Sequence, residues 1–263
     1  MDTNARRRLS QPRVAEMVAE VLRVRIVNGD LADGDLLPRQ EDLVEEFGVS
    51  LPSLREAMRI LETEGLISVR RGNIGGAVVH RPTPQAAAYM LGLVLQSHRV
   101  VLGDLAAALR IVEPSCASLC AQQSSRRRIA ARLRALTTQA KGHVHDGSEF
   151  TRSAREFHDE LARSCGNETM RQLVGTLEAL WSDYEGRWAD STSRQGSYPN
   201  VELRQLVVIA HTAITDAIRD GDAGAADKAT RHHLEESQRF LLREAGEQPL
   251  AITELRGRLA PRL

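Results

Sequence analysis

The tetrapeptide Arg81-Pro82-Thr83-Pro84 constrains this chain more than any other feature. Two prolines one residue apart fix φ twice and bias the residues before them away from helix, so the segment reads as a stiff linker and a domain boundary. The two sides differ in pattern. Before the break, helical stretches are followed by two short β-like runs; after it, only helical periodicity appears. With 263 residues in all, each side is long enough to bury its own core. The expected organisation is a flexible N-terminus over residues 1–10, a domain over 11–81, an all-α domain over 82–245 and a loosely packed tail over 246–263. The fold class is mainly α.

Residues 11–28 place Val14, Met17, Val18, Val21 and Leu22 on one helical face, and Asn28-Gly29-Asp30 ends that helix. A turn-rich link follows over 31–37. Pro38 suits the start of a second helix whose inner face is Leu43, Val44 and Phe47. Gly48-Val49-Ser50 is a tight turn, with Ser50 as the N-cap of a third helix and Pro52 in its first turn, where no hydrogen bond is lost. Leu54, Ala57, Met58 and Leu61 repeat at i, i+3, i+4, i+7, and Gly65 stops the helix. The runs 66–70 and 77–80, joined by Arg71-Gly72-Asn73-Ile74-Gly75-Gly76, read as a hairpin. Helix, helix, tight turn, helix, glycine-rich hairpin is the order of a winged helix-turn-helix.

Such a domain reads DNA through short polar and arginine side chains at the start of its recognition helix. Ser50, Ser53, Arg55 and Arg59 occupy those positions, and Arg70, Arg71, Gly72 and Asn73 form a wing tip suited to phosphates or the minor groove. The competing assignment makes Arg55 and Arg59 solvated helix charges paired with Glu56 or Glu62. Charge counts against a DNA-coating protein: the formal net charge is zero, and residues 1–81 hold 12 Arg, no Lys and 13 acids. DNA binding therefore requires the arginines to share one side of the domain. No apolar run approaches a membrane span, and no apolar segment follows Arg6-Arg7-Arg8, so a cytoplasmic protein is expected. Cys116, Cys120 and Cys165 form an odd set without CxxC spacing and read as reduced, buried thiols.

Beyond the linker, helical patterns occupy roughly 85–97, 102–122, 125–141, 148–165, 168–190, 202–220 and 223–243, with a polar loop over 191–200. Three histidines face inward from different helices. His158 shares a face with Phe150, Ala154, Phe157, Leu161 and Cys165; His211 with Val207, Ile214 and Ile218; His233 with Ala226, Ala229 and Phe240. Each alone is better explained as a satisfied core histidine; three converging neutral imidazoles would suit a divalent metal such as zinc. Arg110 and Glu113, three apart on a face with Ala106 and Ala117, form either a structural ion pair or a receptor for an effector carboxylate. Tyr184 and Arg187 share the same spacing and are candidates for the same cavity, whereas Trp181 and Trp188 read as core or interface. His80, His98, His143, His145 and His232 read as surface or loop residues.

Leu37-Pro38, Leu43, Gly48-Val49-Ser50, Leu54-Arg55-Glu56-Ala57, Leu61-Glu62, Glu64-Gly65-Leu66 and Arg71-Gly72 together resemble the GntR family of bacterial regulators, over residues 12–80. Phe157-His158, Gly166-Asn167, His211, Ala217-Ile218, Gly221-Asp222 and His233-Leu234 resemble the FCD effector domain of its FadR-like branch, across residues 85–243. The resemblance implies a transcriptional regulator, by default a repressor. It would bind double-stranded operator DNA as a homodimer and respond to a small organic acid. It also implies a divalent metal, zinc or nickel-like, held by His158, His211 and His233 with an aspartate one turn before the first. Here that position is Ala154, which leaves two alternatives: a metal held by three histidines plus water or effector, or a metal-free site whose histidines hydrogen-bond the ligand. Family members often carry arginines at DNA-touching positions where this chain has Glu41 and Leu51, which leaves Arg39 as a compensating candidate. The rival is a metal-dependent, hydrolase-like enzyme using the three histidines, although no carboxylate stands beside them as an obvious general base.

Overall fold

A computed structural model describes residues 11–70 and 76–252. The chain divides into two compact units between Thr83 and Pro84.

In the N-terminal unit, α1 (Gln11–Asn28), α2 (Gln40–Phe47) and α3 (Leu51–Thr63) precede an antiparallel pair, β1 (Ile67–Arg70) and β2 (Gly76–Val79), in register Ile67↔Val79 to Arg70↔Gly76. The α2–α3 turn is built as its residues demand. Gly48 takes the left-handed conformation that closes α2, with φ 60°, and the Ser50 side chain accepts the Ser53 N–H to cap α3. Leu54, Ala57, Met58 and Leu61 are buried as their spacing requires. The α1 face differs from expectation. Ala15, Val18, Ala19, Leu22 and Ile26 are buried, while Met17 and Val21 are exposed. Helix α1 packs directly on α3, and alanines let the two backbones approach where bulkier residues would not fit. The link over 31–37 is more ordered than a plain turn. Leu36 bridges to Val78, and the Leu37 N–H donates to the Ala77 carbonyl at 2.8 Å, so the link lies along β2.

The C-terminal unit is helical: α4 (Pro84–Ser97), α5 (Leu102–Gln122), α6 (Arg126–Gly142), α7 (Gly147–Ser164), α8 (Glu168–Gln195), α9 (Val201–Asp220) and α10 (Ala223–Ala245). Side-chain caps from Asp146, Asn167, Asn200 and Asp222 set the starts of α7 to α10. Helix α8 runs a turn and a half past its expected end, which shortens the predicted polar loop to 196–200. Helix α5 is the central element, packed against α7, α8, α9 and α10. The tail also departs from expectation. Leu250 and Ile252 are buried, the Leu250 N–H donates to the Val100 carbonyl, and the Ile252 side chain fills the space a Cβ on Gly92 would occupy. Two well-spaced apolar residues are enough to dock a short extended segment.

Candidate functional site

In the N-terminal unit the predicted DNA contacts separate by exposure. Arg39 lies exposed at the N-cap of α2, Arg55 on the open face of α3, and Arg70 at the end of β1; none of the three makes an ion pair among the described residues. Arg59 does: it grips Glu56 through Nε at 3.0 Å and Nη2 at 2.8 Å. Ser50 is exposed and capping, but Ser53 is turned inward, its Oγ 2.9 Å from Ser50 Oγ. Ser53 sits one turn before Ala57 on the buried face, so it supports the cap and is not an outward reader. Arg71, Gly72 and Asn73 lie outside the described residues.

In the C-terminal unit three helices deliver the histidines to one point. His158 comes from α7, His211 from α9 and His233 from α10. The Nε2 atoms of His211 and His233 are 3.1 Å apart, and those of His233 and His158 are 3.3 Å apart. Phe157 stacks flat on His211, with ring centroids 3.9 Å apart, and fixes that ring from behind. Burial, aided by the neighbouring imidazoles, holds His211 well below its ordinary pKa and His233 down to about 3, so both are neutral.

His158 is different because of Glu113. Burial pushes its pKa down, but the Glu113 charge and hydrogen bond more than offset this and raise it. His158 Nδ1 donates to Glu113 Oε1 at 2.6 Å, and Glu113 is completely buried. Glu178, on α8, lies beside Glu113, and burial together with the Glu113 charge holds its carboxyl well above the usual range. The two buried carboxyls shift in opposite directions: burial pushes Glu113 up but the His158 charge and hydrogen bond more than offset this, whereas Glu178 has no such cation and is pushed up. Glu113 is therefore neither an ion-pair partner of Arg110 nor a cavity-lining residue; it orients His158.

The proton count tests whether a metal fits. With its Nδ1 proton committed to Glu113, a neutral His158 presents only a lone pair at Nε2. His233 can donate one Nε2 proton to His158 or to His211, not to both. A divalent cation accepts all three lone pairs at once. A tetrahedral zinc with bonds of roughly 2.0–2.1 Å has ligand–ligand edges of about 3.3–3.4 Å, close to the nitrogen separations seen here. The donor set suits zinc or a similar borderline ion.

His158 and His233 lie on the wall of a cavity of about 440 Å³. Its apolar side includes Phe150, Val207 and Phe240, and Ala154 lines it one turn before His158. Three arginines face it: Arg155, Arg204 and Arg239. Arg155 pairs with Glu185 and Arg239 with Glu236. Arg204 pairs with no carboxylate among the described residues. Its Nε and Nη1 donate to the carbonyls of Pro199 and Val144, and its guanidinium stacks over Tyr198 at 4.9 Å. Arg110, Tyr184 and Arg187 do not line this cavity. Tyr184 Oη hydrogen-bonds the Ala251 backbone, Arg187 pairs with Asp183 and stacks on Tyr184, and the Arg110 carbonyl accepts from Arg231. Arg110 and Glu113 lie three apart on α5, but Glu113 is buried while Arg110 is half-buried and does not line the cavity. Arg204 was legible: it lies one turn before Val207 on the face that carries His211. His232, expected at the surface, also borders the cavity, as does Trp188.

The two units match two family models. Residues 14–78 match "Bacterial regulatory proteins, gntR family", and residues 104–236 match the FCD domain. The HTH-type transcriptional repressor NanR of Klebsiella aerogenes is 30% identical over 233 residues, 87% of this chain and 85% of that protein. NanR of Salmonella schwarzengrund is likewise 30% identical over 236 residues, 87% of this chain and 84% of that protein. This chain belongs to the GntR family. It is a DNA-binding transcriptional regulator of the FadR-like branch, with an FCD effector domain, and the hydrolase-like alternative falls on that finding. A solved Streptococcus agalactiae GntR structure has the same fold, with TM-score 0.65 and 23% identity over 86% of this chain and 99% of that one. No helix among the described residues is long and apolar enough to cross a membrane.

Proposed function

We propose that this GntR-family protein is a cytoplasmic homodimeric repressor whose hold on a double-stranded operator is set by a small carboxylic acid. The acid binds in the cavity of the C-terminal unit, beside a zinc-like ion held by His158, His211 and His233. The observation that carries this reading is the convergence of three Nε2 atoms beside a cavity walled by His158 and His233, which also presents Arg204, paired with no carboxylate among the described residues. A metal bound by three protein ligands keeps an open position, and Ala154 leaves that position facing the cavity. A carboxylate oxygen would take that position while Arg204, held by the Pro199 and Val144 carbonyls through Nε and Nη1, offers its Nη2 to another anionic group. Arg204, rather than Arg110, is the effector receptor in this reading.

On the DNA side, Arg55, Arg59, Ser50 and Arg39 face the operator with Arg70 and the wing residues Arg71, Gly72 and Asn73. The effector acts by binding the DNA-competent and DNA-incompetent arrangements with different affinities, and operator affinity changes by the same factor. Elemental analysis of protein never exposed to a nickel column tests the metal. About one zinc-like ion per chain, lost in His158→Ala, is the expected result. Absence of metal from the wild type would leave the histidines as direct hydrogen-bonding partners of the acid.

A further inference from the structure

We infer that Glu113 supplies, from behind His158, the negative charge that Ala154 removes from the metal's own ligand set. This rests on the metal site proposed above. Three imidazoles are neutral ligands, and two of the three here are almost wholly buried. A divalent cation among them keeps its full charge in a medium that solvates it poorly, which is costly unless a counter-charge lies close. An aspartate at position 154 would meet that need by direct ligation from the cavity side. This chain has a methyl group there, and within reach of the site it has instead a completely buried carboxylate, Glu113, hydrogen-bonded at 2.6 Å to the far nitrogen of a ligand ring.

That contact does two things. It fixes the proton of His158 on Nδ1, so that Nε2 presents its lone pair to the ion, and it makes that lone pair more basic by partial transfer of the Nδ1 proton towards the carboxylate. Glu113 Oε2 has no hydrogen-bond partner among the described residues, so the buried carboxylate is committed to His158 alone. The move has a consequence for ligand binding. An aspartate ligand would fill the coordination position that faces the cavity; a counter-charge on the opposite side of His158 leaves that position open to an anionic oxygen of the effector.

The test is zinc affinity, measured by competition with a chromophoric chelator, in the full-length protein. Glu113→Gln keeps the shape and a hydrogen-bond acceptor but removes the charge. It is expected to weaken zinc binding about 10- to 100-fold, the range for loss of an outer-shell partner. Adding Ala154→Asp to Glu113→Gln restores the charge from the other side and is expected to recover the binding. Equal affinities for wild type and Glu113→Gln, or no recovery in the double variant, would overturn the inference while leaving the metal site standing. A wild type that takes up no zinc overturns both. If Glu113→Gln does not fold by circular dichroism, the imidazole ¹⁵N spectrum of the zinc-loaded wild type decides. His158 Nδ1 is then expected to stand apart from the other ligand rings as a strongly hydrogen-bonded donor, and three alike signals would refute the assignment.

Discussion

The two units carry their polar residues in opposite ways. In the N-terminal unit the candidate contacts are exposed arginines on a small apolar core, paired in water with a neighbour, as Arg59 is with Glu56, or with no carboxylate among the described residues, as Arg55 is. In the C-terminal unit they are buried imidazoles and carboxylates whose protonation is decided by desolvation and by each other. The difference follows from what each must bind. A duplex is large, pre-charged and approached from solvent, so its reader needs cations free to meet phosphates and base edges. A small ligand is recognised by enclosure, where a few fixed polar groups act at low dielectric and must be satisfied before the ligand arrives.

The sharpest challenge to this contrast is Phe157→Ala. That ring is fully buried and stacked on His211, so its loss is expected to cost about 3–5 kcal/mol of stability in urea unfolding, and to disorder the histidine focus with it. A cost below 1 kcal/mol would show that the focus does not depend on the packing behind it. Next in size, Arg204→Ala is expected to weaken binding of whichever acid the wild type selects from a panel by about 10- to 100-fold, or roughly 1.5–3 kcal/mol for a hydrogen bond to a charged group. Arg110→Ala should leave that affinity unchanged in the same calorimetric titration; the opposite ranking would return the effector role to Arg110. The smallest effect belongs to the surface. On DNA selected by the wild type from a random pool, Arg55→Ala is expected to lose about tenfold in affinity. Arg59→Ala should lose less, because its guanidinium must first leave Glu56. Equal losses would mean that the Arg59–Glu56 pair does not persist in solution.

The sequence by itself determined the division at Arg81 to Pro84, the order of elements in the N-terminal unit, every long helix beyond it and the inward direction of His158, His211 and His233. These are local matters. Proline stiffness, a serine cap, glycine at a left-handed turn and a 3.6-residue period each act over a few residues and can be read one segment at a time. What the tertiary structure decided was partnership. It put Ala15 and Ala19 rather than Met17 and Val21 against α3, seated Leu250 and Ile252 on the bundle, and turned Ser53 inward. Above all it gave Glu113 to His158 instead of Arg110, placed Glu178 beside it from another helix, and brought Arg204 rather than Arg110 to the cavity. Periodicity says which face of a helix is buried, but not which residue of another helix it will meet. That is set by how α4 to α10 pack, and only there does a buried carboxylate find the imidazole that satisfies it.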